Sequence, residues 1–284
     1  MRKIFLYTAI LLVSFVVFNS CTKEYESIES VDKAKIEAYI KKNNLLMKDT
    51  LGFYYQIIDE GTGNFLKNTD SVLYDFDIKS LDGQVYQSND VYSNNGTYVG
   101  YVTSPGAFRT VMYKLKRGGH AKIIIPSYLA FGKNGNGNIP SNEVIVTDLK
   151  IFKEASQIEL DENRIKAFLT ANNITNAVRH SSGIYYQVIT PGTGTDVIDD
   201  YSTLEVKYIG KLLNGTTFDS SDSFSTTLNG VISGWRTILP LFTSGAKVRI
   251  FLPSKYGYGS ASTGAITPNS VLDFTIDITK VTNE

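Results

Sequence analysis

The sequence predicts an α+β protein built from two tandem copies of one unit, each a leading helix followed by antiparallel strands. Three observations carry that expectation. Five sequence blocks recur in the same order in the two halves of the chain. Each half opens on a segment whose apolar residues fall three and four apart, the spacing of one helix face. The later blocks alternate apolar and polar residues, as half-buried antiparallel strands do, and Gly-rich turns separate them.

The leading helices come from "SVDKAKIEAYIKKNN" (30–44) and "ELDENRIKAFLTANN" (159–173), where Ile36, Tyr39 and Ile40 correspond to Ile165, Phe168 and Leu169. Asp32 and Asp161 read as helix N-caps or first-turn acids. "GFYYQIIDEGTG" (52–63) then matches "GIYYQVITPGTG" (183–194), a short strand closed by turn chemistry. "VLYDFDIKSLDG" (72–83) matches "LEVKYIGKLLNG" (204–215), whose Asn-Gly is a strong hairpin signal. "KRGGHAKIIIPSYLAFG" (116–132) matches "TSGAKVRIFLPSKYGYG" (243–259), and "IPSNEVIVTDLKIFKE" (139–154) matches "ITPNSVLDFTIDITKV" (266–281). The repeat is a tandem duplication of about 125 to 130 residues, with its boundary near Ala155-Ser156. The expected domains are therefore residues 30–154 and 155–284.

Composition narrows the class. The chain has 284 residues, enough for two ordinary domains, and its 42% hydrophobic and 20% charged content is that of a folded protein. Lys+Arg and Asp+Glu both total 28, so no net field draws it to nucleic acid. Two His and one Cys leave little material for a metal site or Cys-His catalysis, and no internal disulfide can form. No cofactor is expected. At the N-terminus, Arg2 and Lys3 precede an apolar run over residues 4–18, the length of a signal-peptide core and short for a membrane span. The lone Cys21 follows directly after Asn19-Ser20. This resembles a bacterial lipoprotein signal, in which cleavage precedes the cysteine and its thiol is lipidated, although Phe18 and Asn19 depart from the usual box. An ordinary signal peptide or an uncleaved anchor is the other reading. Residues 1–21 are thus an expected export signal and 22–29 a tether, placing the protein in the cell envelope, anchored to membrane by lipid.

Conventional catalytic sets find no support. His120 and His180 stand far from any nucleophile motif. "GKNGNGN" (132–138) lacks the closing Lys-Ser/Thr of a phosphate loop and reads as a plain loop, and the acidic pairs Asp199-Asp200 and Asp219/Asp222 do not follow a calcium-loop spacing.

The second unit does match a pattern. "VKYIGKLLNGTTFDSS", "GVISGW", "PSKYGYG" and "ITPNSVLDF" together resemble the FKBP family of peptidyl-prolyl cis/trans isomerases, from about residue 203 to 281. The resemblance implies a five- or six-stranded antiparallel sheet wrapped around one short helix, here expected near residues 236–242 and shortened or kinked by Pro240. It implies X-Pro segments of exported proteins as substrates and macrolide inhibitors as a further ligand class. It also assigns the site. Trp235 is the floor beneath the proline ring, and Tyr208, Phe218, Val231, Ile232, Ile266 and Phe274 are the walls. Tyr258 and the Ile232 N–H donate to substrate carbonyls. Asp219 is a buried-edge carboxylate held by the Tyr208 hydroxyl and facing the twisted amide. Phe224 stands for a further family aromatic. Taken singly, Trp235 reads equally as core, Asp219 as a turn cap and Tyr258 as a strand-end residue.

In the first unit the same alignment puts Phe76 for Tyr208, Gln87 for Asp219, Phe108 for Trp235, Phe131 for Tyr258, Thr147 for Phe274 and Pro105 for Ile232. The hydroxyl and its carboxylate partner have gone together, and proline has no N–H to donate. This unit is expected to be a spacer or apolar peptide-binding module. A non-catalytic chaperone or scaffold lipoprotein, in which both pockets only hold clients, is the alternative for the whole chain.

Overall fold

In the computed structural model, described over residues 26–89 and 91–283, helix α1 (Ile28–Lys42) begins where Ser27 accepts the Ser30 N–H at 3.2 Å. It stops at two asparagines. Asn43 donates its side-chain amide to the Tyr39 carbonyl at 2.9 Å, and Asn44 turns to φ 51°, a left-handed conformation that asparagine tolerates. The first sheet follows: β1 (Lys48–Thr50), β2 (Phe53–Asp59), β3 (Ser71–Ser80), β4 (Val85–Ser88), β5 (Asn95–Tyr98), β6 (His120–Ile125) and β7 (Ile145–Ile151). Its order is β1-β2-β6-β7-β3-β4, with β5 also on β3 and every pairing antiparallel. Helix α2 (Gly106–Met112) lies between β5 and β6.

The second half repeats these devices. In α3 (Gln157–Ala171), Ser156 caps the Glu159 N–H at 3.3 Å, Asn172 donates to the Phe168 carbonyl at 2.8 Å, and Asn173 takes φ 55°. Then come β8 (Val178–Arg179), β9 (Tyr185–Thr190), β10 (Thr203–Leu212), β11 (Thr217–Thr227), α4 (Ser233–Ile238), β12 (Lys247–Leu252) and β13 (Leu272–Thr282). They form an antiparallel sheet of order β11-β10-β13-β12-β9-β8. The α+β class and the antiparallel sheets are those read from the sequence. The short helix lies earlier than expected: α4 contains Trp235, and a 3-10 turn at Leu239–Leu241 takes over where Pro240 supplies no N–H.

Each sheet is covered on both faces. Alternate residues of one strand serve two clusters, because successive side chains point to opposite sides. Ile250 packs with Trp235 and Ile238 of α4, while its neighbour Phe251 packs with Ile165 and Leu169 of α3. In the first sheet Ile123 and Ile125 face α2, and Ile124 faces Ile36 of α1. The leading helix thus covers the back of each sheet and leaves the front to the short helix.

Asp32 and Asp161 are not caps. Ser27 and Ser156 hold those positions, so each aspartate lies one turn further on, buried on the sheet-facing side. Oδ2 of Asp161 accepts the Ser254 N–H at 2.8 Å and its hydroxyl at 2.6 Å, and Asp32 does the same for Ser127 at 2.8 and 2.7 Å. Burial pushes the Asp161 carboxyl up, opposed by its bonds from Ser254 and Gln157 and by the Arg164 charge. The latch fixes helix to sheet at the 3-10 turn Ser254–Tyr256. The expected signal segment and Cys21, the expected lipid acceptor, lie outside the described residues. No described helix is long and apolar enough to cross a membrane.

Asp161→Ala leaves the buried Ser254 N–H without its acceptor and removes the carboxylate beside the Arg164 guanidinium. It is expected to destabilise the second unit by about 2–3 kcal/mol, read as a lower midpoint in denaturant. An unchanged midpoint would show that the latch is dispensable.

Candidate functional site

The site is built on β10. The turn after it is closed by Leu212 N–H to Thr216 O at 2.9 Å, with Gly215 at φ 90°, and this fixes how β11 returns. In the resulting register Gly210 sits opposite Asp219 on β11 and opposite Phe274 on β13. Tyr208, two residues back, shares that face. Its hydroxyl donates to Asp219 Oδ2 at 2.8 Å. A bulge between Val206 and Tyr208 inserts an extra β11 residue and brings Phe224 round to the same side, ring centroid 5.7 Å from Tyr208.

The floor comes from α4. Trp235 is only 3% exposed and meets Tyr208 and Phe274 edge to face, at 5.2 and 5.3 Å. Such pairs hold one another at fixed angles. The result is an open cavity of about 190 Å³ bounded by these aromatics together with Asp219, Gly230, Val231, Ile232 and Tyr258. Its polar groups are few. The Ile232 N–H and the Tyr258 hydroxyl donate to no acceptor among the described residues, and the buried Trp235 Nε1 has no partner. Burial first, and the Asp219 carboxylate second, push the Tyr208 phenol up to about 12, so it stays a donor at any physiological pH. Among the described residues no His, Cys, Asp or Glu cluster is arranged to hold a metal ion. The cavity can desolvate an apolar ring and offer donors to carbonyls beside it.

The structure brings Tyr208, Asp219, Val231, Ile232, Trp235, Tyr258 and Phe274 around one cavity. It places two of the expected wall residues behind the wall. Phe218 braces Phe274 edge to face at 5.4 Å, and Ile266 is buried in the core beneath. Asp219 is exposed rather than buried at an edge, because β11 is the outermost strand. Two glycines were missed. Gly230 lines the cavity. At Gly210 a Cβ would come within 2.7 Å of both the Phe218 and the Phe274 rings, so only glycine admits that pair. A lone glycine inside a strand pattern is the signal that marks such close approach.

The first unit keeps the frame and fills it differently. Ile78 pairs with Gln87 as Gly210 pairs with Asp219, and Thr147 pairs with Ile123 as Phe274 pairs with Ile250. Phe108 is the third residue of α2, as Trp235 is of α4, and Pro105 precedes that helix as Ile232 does. Ile78, 2% exposed, thus brings bulk where the second unit leaves room for aromatics. Phe76 packs edge to face on Phe108 at 5.0 Å with no hydroxyl to offer. The buried Thr147 hydroxyl has no partner among the described residues.

A family model described as FKBP-type peptidyl-prolyl cis-trans isomerase matches residues 63–152 and again 194–279. The chain belongs to that family. The FKBP-type peptidyl-prolyl cis-trans isomerase FkpA of Buchnera aphidicola (Schizaphis graminum) is 33% identical over 164 residues, 52% of this chain and 65% of that one. The outer membrane protein MIP of Legionella longbeachae is 36% identical over 129 residues, 43% of this chain and 55% of the relative. A crystal structure of a peptidyl-prolyl cis-trans isomerase from Pseudomonas syringae pv. tomato is 32% identical, covering 46% of this chain and 98% of that one, with a TM-score of 0.40. The chain spans about half the length of the curated relatives it matches.

A raised phenol pKa favours the folded state below pH 10, and the contribution is lost as pH climbs towards the folded value. Ring-carbon NMR of labelled tyrosines, with Tyr208→Phe for assignment, should find Tyr208 ionising near 12. In Asp219→Asn it should fall yet stay above the ordinary tyrosine value, since burial still raises it. Titration at the ordinary tyrosine value in the wild type would mean the ring is neither desolvated nor paired.

Proposed function

We propose that residues 155–284 form a peptidyl-prolyl cis/trans isomerase domain acting on X-Pro segments of exported proteins, and that residues 30–154 form a degenerate copy serving as a binding or spacer module. One observation carries the reading: an open, aromatic-lined cavity bordered on one side by the Tyr208–Asp219 hydrogen bond, with the Tyr258 hydroxyl and Ile232 N–H on its wall and free to donate.

Rotation about an X-Pro bond must overcome amide resonance of about 18–20 kcal/mol. No bond is broken, so no nucleophile or proton relay is required. The planar amide carries more charge separation than the twisted one. Removing water from it on the face of Trp235 therefore raises the ground state more than the transition state. Tyr258 and the Ile232 N–H hold the flanking carbonyls, and the Tyr208-bound Asp219 presents a fixed negative charge to the rotating group. The neutral Tyr208 keeps that carboxylate in place. The apparent export signal and the envelope name of one relative support placement outside the cytoplasm, with Cys21 as the lipid anchor. Macrolide inhibitors would compete for the same apolar cavity.

With a proline-containing peptide and the full chain, Asp219→Ala is expected to lower kcat/KM about tenfold and Trp235→Ala by about tenfold or more. Gln87→Ala, at the matching position of the first unit, should leave the rate unchanged. No acceleration by the wild type, or undiminished turnover in Asp219→Ala plus Trp235→Ala, would leave a peptide-binding scaffold as the reading.

A further inference from the structure

The stretch between Gln87 and Tyr98 is longer than its counterpart between Asp219 and Thr227. Where the second unit has a bulge, the first sends residues 91–94 out of its sheet between β4 and β5. That arm lands on the second unit. Asn94 is 1% exposed, and its side-chain oxygen accepts from Arg164 Nη1 at 2.7 Å and Gln157 Nε2 at 3.2 Å. Its amide donates to Gln157 Oε1 at 2.9 Å, and the Ser93 carbonyl accepts from Arg164 Nη2 at 2.9 Å. Tyr92 packs against the apolar cluster behind the second sheet.

From Asn94 two lines of hydrogen bonds run to the segment that carries Tyr258. One passes through Gln157, which donates to Asp161 Oδ1 at 2.7 Å, and on through Asp161 Oδ2 to Ser254. Ser254 in turn accepts the Gly257 and Gly259 N–H groups at 3.0 and 2.9 Å. The other runs from the Asn94 carbonyl to Asn269 Nδ2 at 2.9 Å, and the Asn269 N–H donates to Gly259 O at 2.8 Å. Tyr258 is therefore flanked by two ties that converge on one residue of the other unit.

The first unit supplies the comparison. Its latch Asp32–Ser127 is intact, and Asn142 likewise donates to Gly132 O at 2.9 Å. The positions equivalent to Gln157 and Arg164 are Ile28 and Lys35, and the buried Asp32 Oδ1 has no partner among the described residues. Among the described residues, only the second unit's latch is wired to its neighbour.

We propose that Asn94, acting through Gln157, Arg164 and Asn269, is a positioning residue for the isomerase site. The first unit's arm holds the 254–259 turn so that Tyr258 meets the substrate carbonyl. This rests on the function proposed above. It gives the degenerate unit a task that needs no pocket chemistry of its own.

The test uses the full chain with Asn94→Ala and with Asn269→Asp, which keeps a residue tolerant of the left-handed backbone while removing the donor. Each variant cuts one of the two ties, since Asn94→Ala keeps the backbone carbonyl that Asn269 uses. Each is expected to lower kcat on a short proline peptide by about two- to thirtyfold with KM little changed, and the double variant by more than either single one. Amide hydrogen exchange over residues 255–270 should quicken in both variants, while exchange in β12 stays at the wild-type rate. An unchanged kcat in both single variants, or a double variant no slower than the slower single one, would overturn the proposal. If the wild type shows no isomerase activity, faster exchange in Asn94→Ala still supports the brace and only the catalytic reading fails.

Discussion

The register of β10 between β11 and β13 is the constraint on which the site depends. It is fixed at one end by the Asn214-Gly215 turn and along its length by antiparallel pairing with β13. A slip of one residue would turn Tyr208 away from Trp235 and send Asp219 to the other face. With the register set, Gly210 falls between Phe218 and Phe274, the one position where the missing Cβ lets two rings meet edge to face. Glycine inside a strand costs about 0.5–1 kcal/mol in backbone entropy, so its presence is offset by what the aromatics gain. The aromatic arrangement then holds Trp235 as a floor and leaves the Tyr208 hydroxyl one direction in which to donate.

The two copies show how few residues distinguish the two sites while the fold is kept. Glycine becomes Ile78, phenylalanine becomes Thr147, and tyrosine and aspartate become Phe76 and Gln87. Ile78 supplies the bulk that Thr147 withholds, so the core stays filled. The hydroxyl and its acceptor are absent together, so neither is left without the other. What the first unit retains is its latch, its caps and its sheet, the parts that stabilise the structure.

Most of this was legible in the sequence because duplication supplies an internal alignment. The helix pair, the strand blocks and the hairpin signal needed only periodicity and turn chemistry. The pocket residues needed the four ordered motifs, since Val231, Ile232 and Phe274 are individually ordinary apolar residues. Three features were not legible, each for a physical reason. Asp32 and Asp161 carry the chemistry of a cap, and only the tertiary position of Ser127 and Ser254 makes them latches. Phe218 and Ile266 are apolar residues of the right strand and loop, but side-chain packing decides which layer faces the cavity. The arm at Tyr92 and Asn94 pairs across units, and its partners lie 63 and 70 residues away at Gln157 and Arg164.

The central claim is that one of two homologous pockets has kept the chemistry. Trp235 is the chain's only tryptophan, so an ¹⁵N-labelled full chain gives a single indole resonance from the floor of that pocket. Titrating in a short proline peptide should shift the Trp235 indole together with the Ile232 and Tyr258 backbone amides. The amides of Gly106, Phe108 and Phe131 should stay where they are. Movement of the first unit's resonances with a stationary indole would contradict it.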